Sequence, residues 1–231
     1  YRAAPMDPRP GHPEVLALDP VRPDPELLAA VAGRMAAGSL VAFPTETVYG
    51  LGARIDRPAA LDRIFAVKGR PATDPLIVHV ASIDALDGIV ARVPDRLTAL
   101  ARAFWPGPLT VVLDRGPLIR DSITAGGATV AVRVPAHPVA AGLIRAVGTG
   151  VAAPSANRFG RISPTRAADV VDELADRLEP GDVVVDGGPT PLGIESTVVD
   201  LTGPRPTVLR HGGVSVEDLV EVLDTLDAPE R

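Results

Sequence analysis

The sequence predicts an α/β domain built on a mixed sheet. Three observations carry that prediction. Short apolar runs rich in valine alternate with stretches of three- and four-residue apolar spacing along most of the chain. These runs interleave without a strict repeat. Two late strands also follow each other directly, which a purely parallel βαβ succession does not produce.

Residues 1–23 hold six prolines and read as an extended lead-in with one short strand, Val15 to Leu18. A helix is expected over about 25–37: Asp24 suits the N-cap, Pro25 the first helical position and Gly38 the stop. Ser39 to Phe43 is a short apolar strand. Residues 44–52, PTETVYGLG, break both periodicities and read as a shaped loop. Residues 58–68 read as a helix on the spacing of Leu61, Ile64, Phe65 and Lys68, and Leu76 to Val80 as a buried strand. Helical stretches are expected near 82–91 and 95–104. Strands follow at Leu109–Leu113, Thr129–Val134 and Val151–Ala153, with helices near 136–147 and 165–178. Val183–Asp186, Ser196–Leu201 and Thr207–Leu209 supply the last strands, and 215–225 a final helix. The organisation expected is therefore a lead-in over 1–23, one main domain over 24–213, and a C-terminal helix and tail over 214–231.

Composition excludes several classes of function. At 231 residues the chain has ample length for a real core. It has no cysteine, so disulfides, thiolate zinc sites and cysteine nucleophiles are absent together. Aromatic residues make up 3%, too few for base stacking to dominate nucleic-acid binding, and the net charge of −6 argues against a broadly basic surface. No apolar run reaches membrane-spanning length, so a soluble cytoplasmic protein without membrane contact is expected. One count stands apart: of 23 basic residues only Lys68 is a lysine. A lysine is a compact point charge suited to phosphate oxygens, whereas arginine is a flat fork.

Five segments combine small residues, hydroxyls and cations beside strands: 44–52, 68–79, 129–133, 154–165 and 196–210. In an open α/β sheet such strand-end loops are expected to form the ligand crevice. Their cations are Lys68, Arg70, Arg133 and Arg210, and their hydroxyls include Thr45, Thr47, Thr129, Ser155, Ser163 and Ser196. This inventory suits a polyanion such as a nucleotide triphosphate. Neither a Walker A lysine motif nor a Gly-rich dinucleotide fingerprint is present, so a nucleotide site here is of another design. Glu46 and Glu195 suggest paired carboxylates, although sequence does not show them facing one another. His79 reads as a core histidine among apolar neighbours. A nucleophilic role for Ser155 or Ser196 lacks the surrounding elbow motif. Metal ligation by His12, His79, His137 and His211 lacks ligand-like spacing, so no protein metal site is expected.

The segments PTETVYGLG, KGRPATDPLIVHV, VAVRVP, PSAN, GIESTVVD and PTVLRHG, in this order and spacing, resemble the YrdC-like threonylcarbamoyl-AMP synthase family over roughly residues 24–213. The resemblance implies a twisted open α/β sheet with helices on its faces and a large concave groove. It implies a nucleotidyltransferase that joins L-threonine, bicarbonate and ATP, with Mg²⁺, into threonylcarbamoyl-adenylate and pyrophosphate. The product would feed tRNA threonylcarbamoyladenosine formation through downstream transferase proteins. By position, the resemblance implies Lys68 and Arg70 as catalytic residues. It implies ATP contacts at Lys68, Arg70, Asp74, Thr129, Ser155, Asn157, Ser163 and Arg210. Threonine contacts fall at Thr47, His79, Arg133, Ser196 and the backbone of Ala153. The chain ends soon after the Arg210 loop, which likens it to the short, single-domain form of the family.

One position departs from the family pattern. Asp74 stands where the family usually has asparagine, and a carboxylate there repels a polyphosphate unless a metal ion, Arg70 or a turned-away rotamer compensates. Two rival readings accompany the main one. The first is an RNA-binding module of the same fold, although direct tRNA binding is not indicated by the charge. The second is a carbamoyl-adenylate-forming relative with a different acceptor.

Overall fold

The computed structural model describes residues 13–223 and 225–228. The first twelve residues of the expected lead-in lie outside them. Among the described residues ten strands form one open mixed sheet: β1 (Glu14–Ala17), β2 (Val41–Pro44), β3 (Tyr49–Arg54), β4 (Ile77–His79), β5 (Leu109–Asp114), β6 (Thr129–Arg133), β7 (Val151–Ala152), β8 (Val183–Asp186), β9 (Thr197–Asp200) and β10 (Thr207–Arg210). Their spatial order is β1-β8-β2-β3-β7-β4-β6-β5-β9-β10. β1, β8 and β2 run parallel, as do β4 with β6 and β5 with β9, and the remaining neighbours are antiparallel. Among the described residues seven helices accompany it: α1 (Pro25–Ala37), α2 (Pro58–Lys68), α3 (Asp95–Phe104), α4 (Asp121–Thr124), α5 (Pro138–Val147), α6 (Ala167–Leu174) and α7 (Val216–Val222).

α1 has the ends its sequence demands. The Asp24 carboxylate accepts from Glu26 N at 2.8 Å, and Gly38, at φ 103°, returns its N–H to the carbonyls of Arg34 and Met35. Two expectations do not hold. The 44–52 segment is a loop only to residue 48; from Tyr49 onward it is strand β3, whose glycines hide a strand pattern. A Cβ on Gly52 would lie 2.7 Å from Phe43 Cε1 and 2.9 Å from Val151 Cγ1, so the close approach of neighbouring strands requires glycine there. The helix expected near 82–91 is only a 3₁₀ turn, Ile83–Leu86. Gly88 at φ 70° follows it, and the chain beyond turns back toward β5, where Ala91 N donates to Asp114 O at 2.9 Å.

Side-chain alternation divides the sheet into two apolar layers. Val41, Phe43, Val183, Val185, Val151 and Ala153 pack with α1 and α5 on one face. Ala42, Val184, Ala152, Val78, Val132, Val111 and Val199 face the opposite layer, which holds α2, α3, α6 and α7. α1 and α5 therefore cover only the β8-β2-β3-β7 part of their face. On β4, β6, β5 and β9 the same face carries His79, Arg133, Val112 and Val198, and no helix covers it. That uncovered half is the floor of a cleft. No helix among the described residues is long and apolar enough to cross a membrane.

The strands are tied beneath by Asp182, whose side chain is 1% exposed. Its carboxylate accepts from Leu40 N and Glu179 N, each at 2.8 Å, and from Arg63 Nη2 at 2.6 Å. Three segments thus share one buried anion. Asp182→Ala leaves the buried Leu40 amide without its acceptor and Arg63 with only Glu179, 3.1 Å away, and is expected to destabilise the domain by about 2–4 kcal/mol. Urea unfolding curves of the two proteins check this.

Candidate active site

The cleft has a volume of about 270 Å³ and lies across the sheet face, with loops on its rim. The expected strand-end crevice is thus only its rim. Alternation along β4, β6 and β9 places Ile77 and His79, Ala131 and Arg133, and Ser196 and Val198 on the floor. The β2–β3 loop supplies Thr45 and Thr47, the segment after α2 supplies Arg70 and Asp74, and the segment after β7 supplies Ala153 and Ser155. Glu195 and Arg210 come from either side of the β9–β10 hairpin.

Arg133 anchors the floor. Its side chain is 4% exposed, and a charge so far from water requires partners. Nε donates to Gly107 O at 3.1 Å and Nη1 to Thr47 Oγ1 at 2.9 Å, while Nη2 lies 2.7 Å from Glu46 Oε1. Glu46 in turn accepts from Ala136 N at 3.0 Å. The Thr45 hydroxyl donates to Val48 O at 2.7 Å, so the 2.8 Å contact between the two threonine hydroxyls has Thr47 donating. With its proton spent on Thr45 and one lone pair on Arg133, Thr47 offers a ligand only an acceptor.

His79 lies beside Arg133 on the floor, with its ring edge-on to Phe43 at 6.5 Å. Burial, reinforced by the Arg133 charge, pushes its pKa down to about 3. It is therefore a neutral imidazole near pH 7, and its buried Nδ1 has no hydrogen-bond partner. Across the cleft, Ser196 Oγ lies 2.7 Å from Thr110 Oγ1 and accepts from Arg210 Nη2 at 3.0 Å. Arg210 Nη2 also approaches Glu195 Oε2 at 3.7 Å. Ser163 donates to the other Glu195 oxygen at 2.6 Å. Glu46 and Glu195 therefore do not pair with each other; each answers an arginine.

Arg70 and Asp74 form an ion pair at 2.9 Å. Of the residues singled out by sequence, four do not line the cleft. Lys68 ends α2, is 2% exposed, and donates to the carbonyls of Ser155 and Asn157 at 2.5 Å each. Burial, with a lesser contribution from Arg70, lowers its pKa to about 7. It holds the 154–157 turn from beneath. Asn157 staples the same turn, donating to the carbonyls of Arg158 and Arg161 at 2.8 Å each. Thr129 sits opposite Asp114 at the start of β6. Ser163 reaches the cleft through Glu195. Sequence reasoning did not single out Thr45, Glu46 and Glu195 as partners of these groups. The signal available was their place inside PTETVYGLG and GIESTVVD, beside the residues it did single out.

An open mixed sheet with an arginine-lined cleft on one half-face defines a class of small-molecule sites, and the comparisons give it a family. The Sua5/YciO/YrdC family model, described as telomere recombination, matches residues 34–212, and the chain belongs to that family. Over 192 residues it is 47% identical to the threonylcarbamoyl-AMP synthase of Pyrococcus abyssi, covering 83% of this chain and 56% of the relative. Over 201 residues it is 44% identical to the threonylcarbamoyl-AMP synthase of Bacillus subtilis, covering 87% and 57%. The chain thus spans somewhat over half the length of these relatives. The crystal structure of P. abyssi Sua5 complexed with L-threonine superposes with a TM-score of 0.89 at 43% identity, over 93% of this chain and 62% of that one.

His79 gives the site an acid signature. The unfolded chain binds a proton on this residue below about pH 6.5 and the folded protein does not until about pH 3. Stability contributed by the neutral ring is complete above pH 6.5 and is lost as pH falls toward 3, by up to about 1.4 kcal/mol per pH unit. In urea titrations at pH 7 and pH 5, His79→Gln is expected to lose less stability on acidification than the parent protein.

Proposed function

We propose that this chain carries the threonylcarbamoyl-AMP synthase activity for which its relatives are named. In that reading it condenses L-threonine, bicarbonate or CO₂, and Mg-ATP into threonylcarbamoyl-AMP and pyrophosphate. The product serves threonylcarbamoylation of tRNA in the cytoplasm, through downstream transferase proteins. The observation that supports it most is the cleft itself: three arginines and a neutral histidine converge on a sheet face shared with a relative solved with L-threonine.

The chemistry needs no protein nucleophile. The unprotonated threonine amine adds to CO₂ to give a carbamate, releasing one proton. A carbamate oxygen attacks the α-phosphorus of ATP, and the bond to the β,γ-pyrophosphate breaks. Mg²⁺ arrives with the nucleotide as part of the substrate. What the chain supplies is position and charge complementarity for two anionic reactants. Arg133 has five N–H donors and hydrogen-bonds with two of them, to Gly107 O and Thr47 Oγ1, while Nη2 lies 2.7 Å from Glu46 Oε1 as an ion pair without a hydrogen bond, so it retains donors for the threonine carboxylate. Thr47, an acceptor only, suits the threonine amine or hydroxyl. Arg70 and Arg210, on the opposite side with Ser155, suit the phosphates. Lys68 and Asn157 act from below by shaping the turn that carries Ser155.

The test is pyrophosphate release from Mg-ATP and bicarbonate, with and without L-threonine, and with the product mass recorded. Threonine-dependent release of a threonylcarbamoyl-adenylate is expected. Threonine-independent release would point to another acceptor. Arg133→Lys keeps the charge opposite Glu46 and loses the fork. It is expected to raise the threonine KM at least about tenfold, with a much smaller effect on that of ATP. Equal effects on both substrates would remove the carboxylate role of Arg133.

A further inference from the structure

We infer that Asp74 is an internal counter-anion that competes with the ligand's phosphate for Arg70 and thereby sets how tightly the cleft holds a polyphosphate. The inference rests on the function proposed above only for the identity of that polyphosphate.

The geometry separates holding Arg70 in place from neutralising it. After α2 the chain stops on Gly69 at φ 61° and turns, with Asp74 N donating to Pro71 O at 3.0 Å. This turn folds the segment back over the guanidinium. Two main-chain carbonyls then fix it: Nε donates to Asp74 O at 3.1 Å and Nη2 to Pro75 O at 2.8 Å. The Asp74 carboxylate adds a third contact, to Nη2 at 2.9 Å. With the carbonyls already orienting the fork, the main thing this third contact adds is a negative charge. Both side chains line the cleft.

The same arrangement recurs around the cleft but not with the same mobility. Arg133 faces Glu46, whose side chain is 10% exposed and locked into the floor by Ala136 N. Arg210 faces Glu195 at the looser distance of 3.7 Å, with the carboxylate also holding Ser163. These six charges sum to zero, so an arriving anion meets arginines already offset. Asp74 combines a close contact with a side chain 39% exposed, so it can surrender Arg70 and turn into water. A phosphate oxygen makes the same N⁺–H···O⁻ contact with Arg70. When the ligand leaves, the carboxylate is at hand to take the guanidinium back. Asp74 is in these terms a positioning residue that acts through Arg70, weakening retention of a polyphosphate and easing its release.

Asp74→Asn is the matched change: the amide keeps the shape and an acceptor for Nη2, the carbonyl contacts remain, and only the charge goes. The experiment is calorimetric binding of inorganic tripolyphosphate to both proteins, with and without Mg²⁺, repeated in an Arg70→Gln background. Without Mg²⁺, Asp74→Asn is expected to bind about 3- to 10-fold tighter, and pyrophosphate to inhibit it more strongly. In the Arg70→Gln background most of that gain is expected to vanish. Unchanged or weaker Mg²⁺-free binding overturns the inference. So does an equal gain in both backgrounds, which would assign the effect to the general field of the cleft. Weakening seen only with Mg²⁺ overturns it too, by making Asp74 a metal ligand. The two readings fail separately. Adenylate formation with no gain in affinity removes the role of Asp74 alone. A gain in a protein that shows no threonine-dependent pyrophosphate release removes the synthase reading alone. If tripolyphosphate binds neither protein, the role of Asp74 falls, and the synthase reading is decided by threonine-dependent pyrophosphate release.

Discussion

A guanidinium taken out of water carries a desolvation penalty of several kcal/mol, and a buried ion pair broken on one side leaves an uncompensated charge. Arg133 meets that constraint with Gly107 O, the Thr47 hydroxyl and the Glu46 carboxylate. Gly107 belongs to the turn before β5, Thr47 and Glu46 to the β2–β3 loop, and Glu46 reaches on to Ala136 N in the approach to α5. Satisfying one charge therefore fixes four parts of the chain relative to one another. The hydrogen-bond direction from Arg133 through Thr47 and Thr45 to Val48 O follows from the same requirement. So does the neutrality of His79, which is buried next to that cation. The chemistry available on the floor is thus set by how Arg133 is satisfied.

Much of the fold was legible because its strands are short, valine-rich and bounded by turn residues. β8 runs over the residues read from sequence, and α1 and α2 begin and end where proline, aspartate and glycine direct. What escaped has physical reasons. In β3 Gly52, set against Phe43 and Val151, has no room for a side chain, and with Gly50 it spells the strand in glycines that read as a loop. Near 82–91 the apolar residues pack under a 3₁₀ turn closed by a glycine at positive φ, which periodicity alone reads as helix. In the lead-in a short strand was legible at Val15–Leu18, one residue from β1, but not its pairing with β8, a contact over more than 160 positions of sequence.

The candidate site divides in the same way. Residue types and motif order identified the segments, and nine of the thirteen positions singled out line one cleft. Sequence does not record depth, however. Lys68 and Asn157 belong to the motifs yet spend their donors on main-chain carbonyls beneath the cleft. Nor does sequence record pairing. Glu46, Asp74 and Glu195 each look like a stray acid until the fold sets them against Arg133, Arg70 and Arg210. The overall charge of −6 is compatible with an arginine-lined cleft because each of its three arginines faces an acid there, and the excess acids lie elsewhere.

The chain's sole tryptophan gives this arrangement an optical readout. Trp105 donates its indole N–H to Leu109 O at 2.7 Å and so spans the turn that contains Gly107. The Gly107 carbonyl is the one that receives Arg133 Nε, and its amide is bonded to Val134 O at 2.8 Å. Red-edge excitation selects the indole over the two tyrosines. The emission of this protein therefore comes from a single fluorophore one short turn away from the cation at the bottom of the cleft, and no label has to be introduced to watch that turn respond to what the cleft holds.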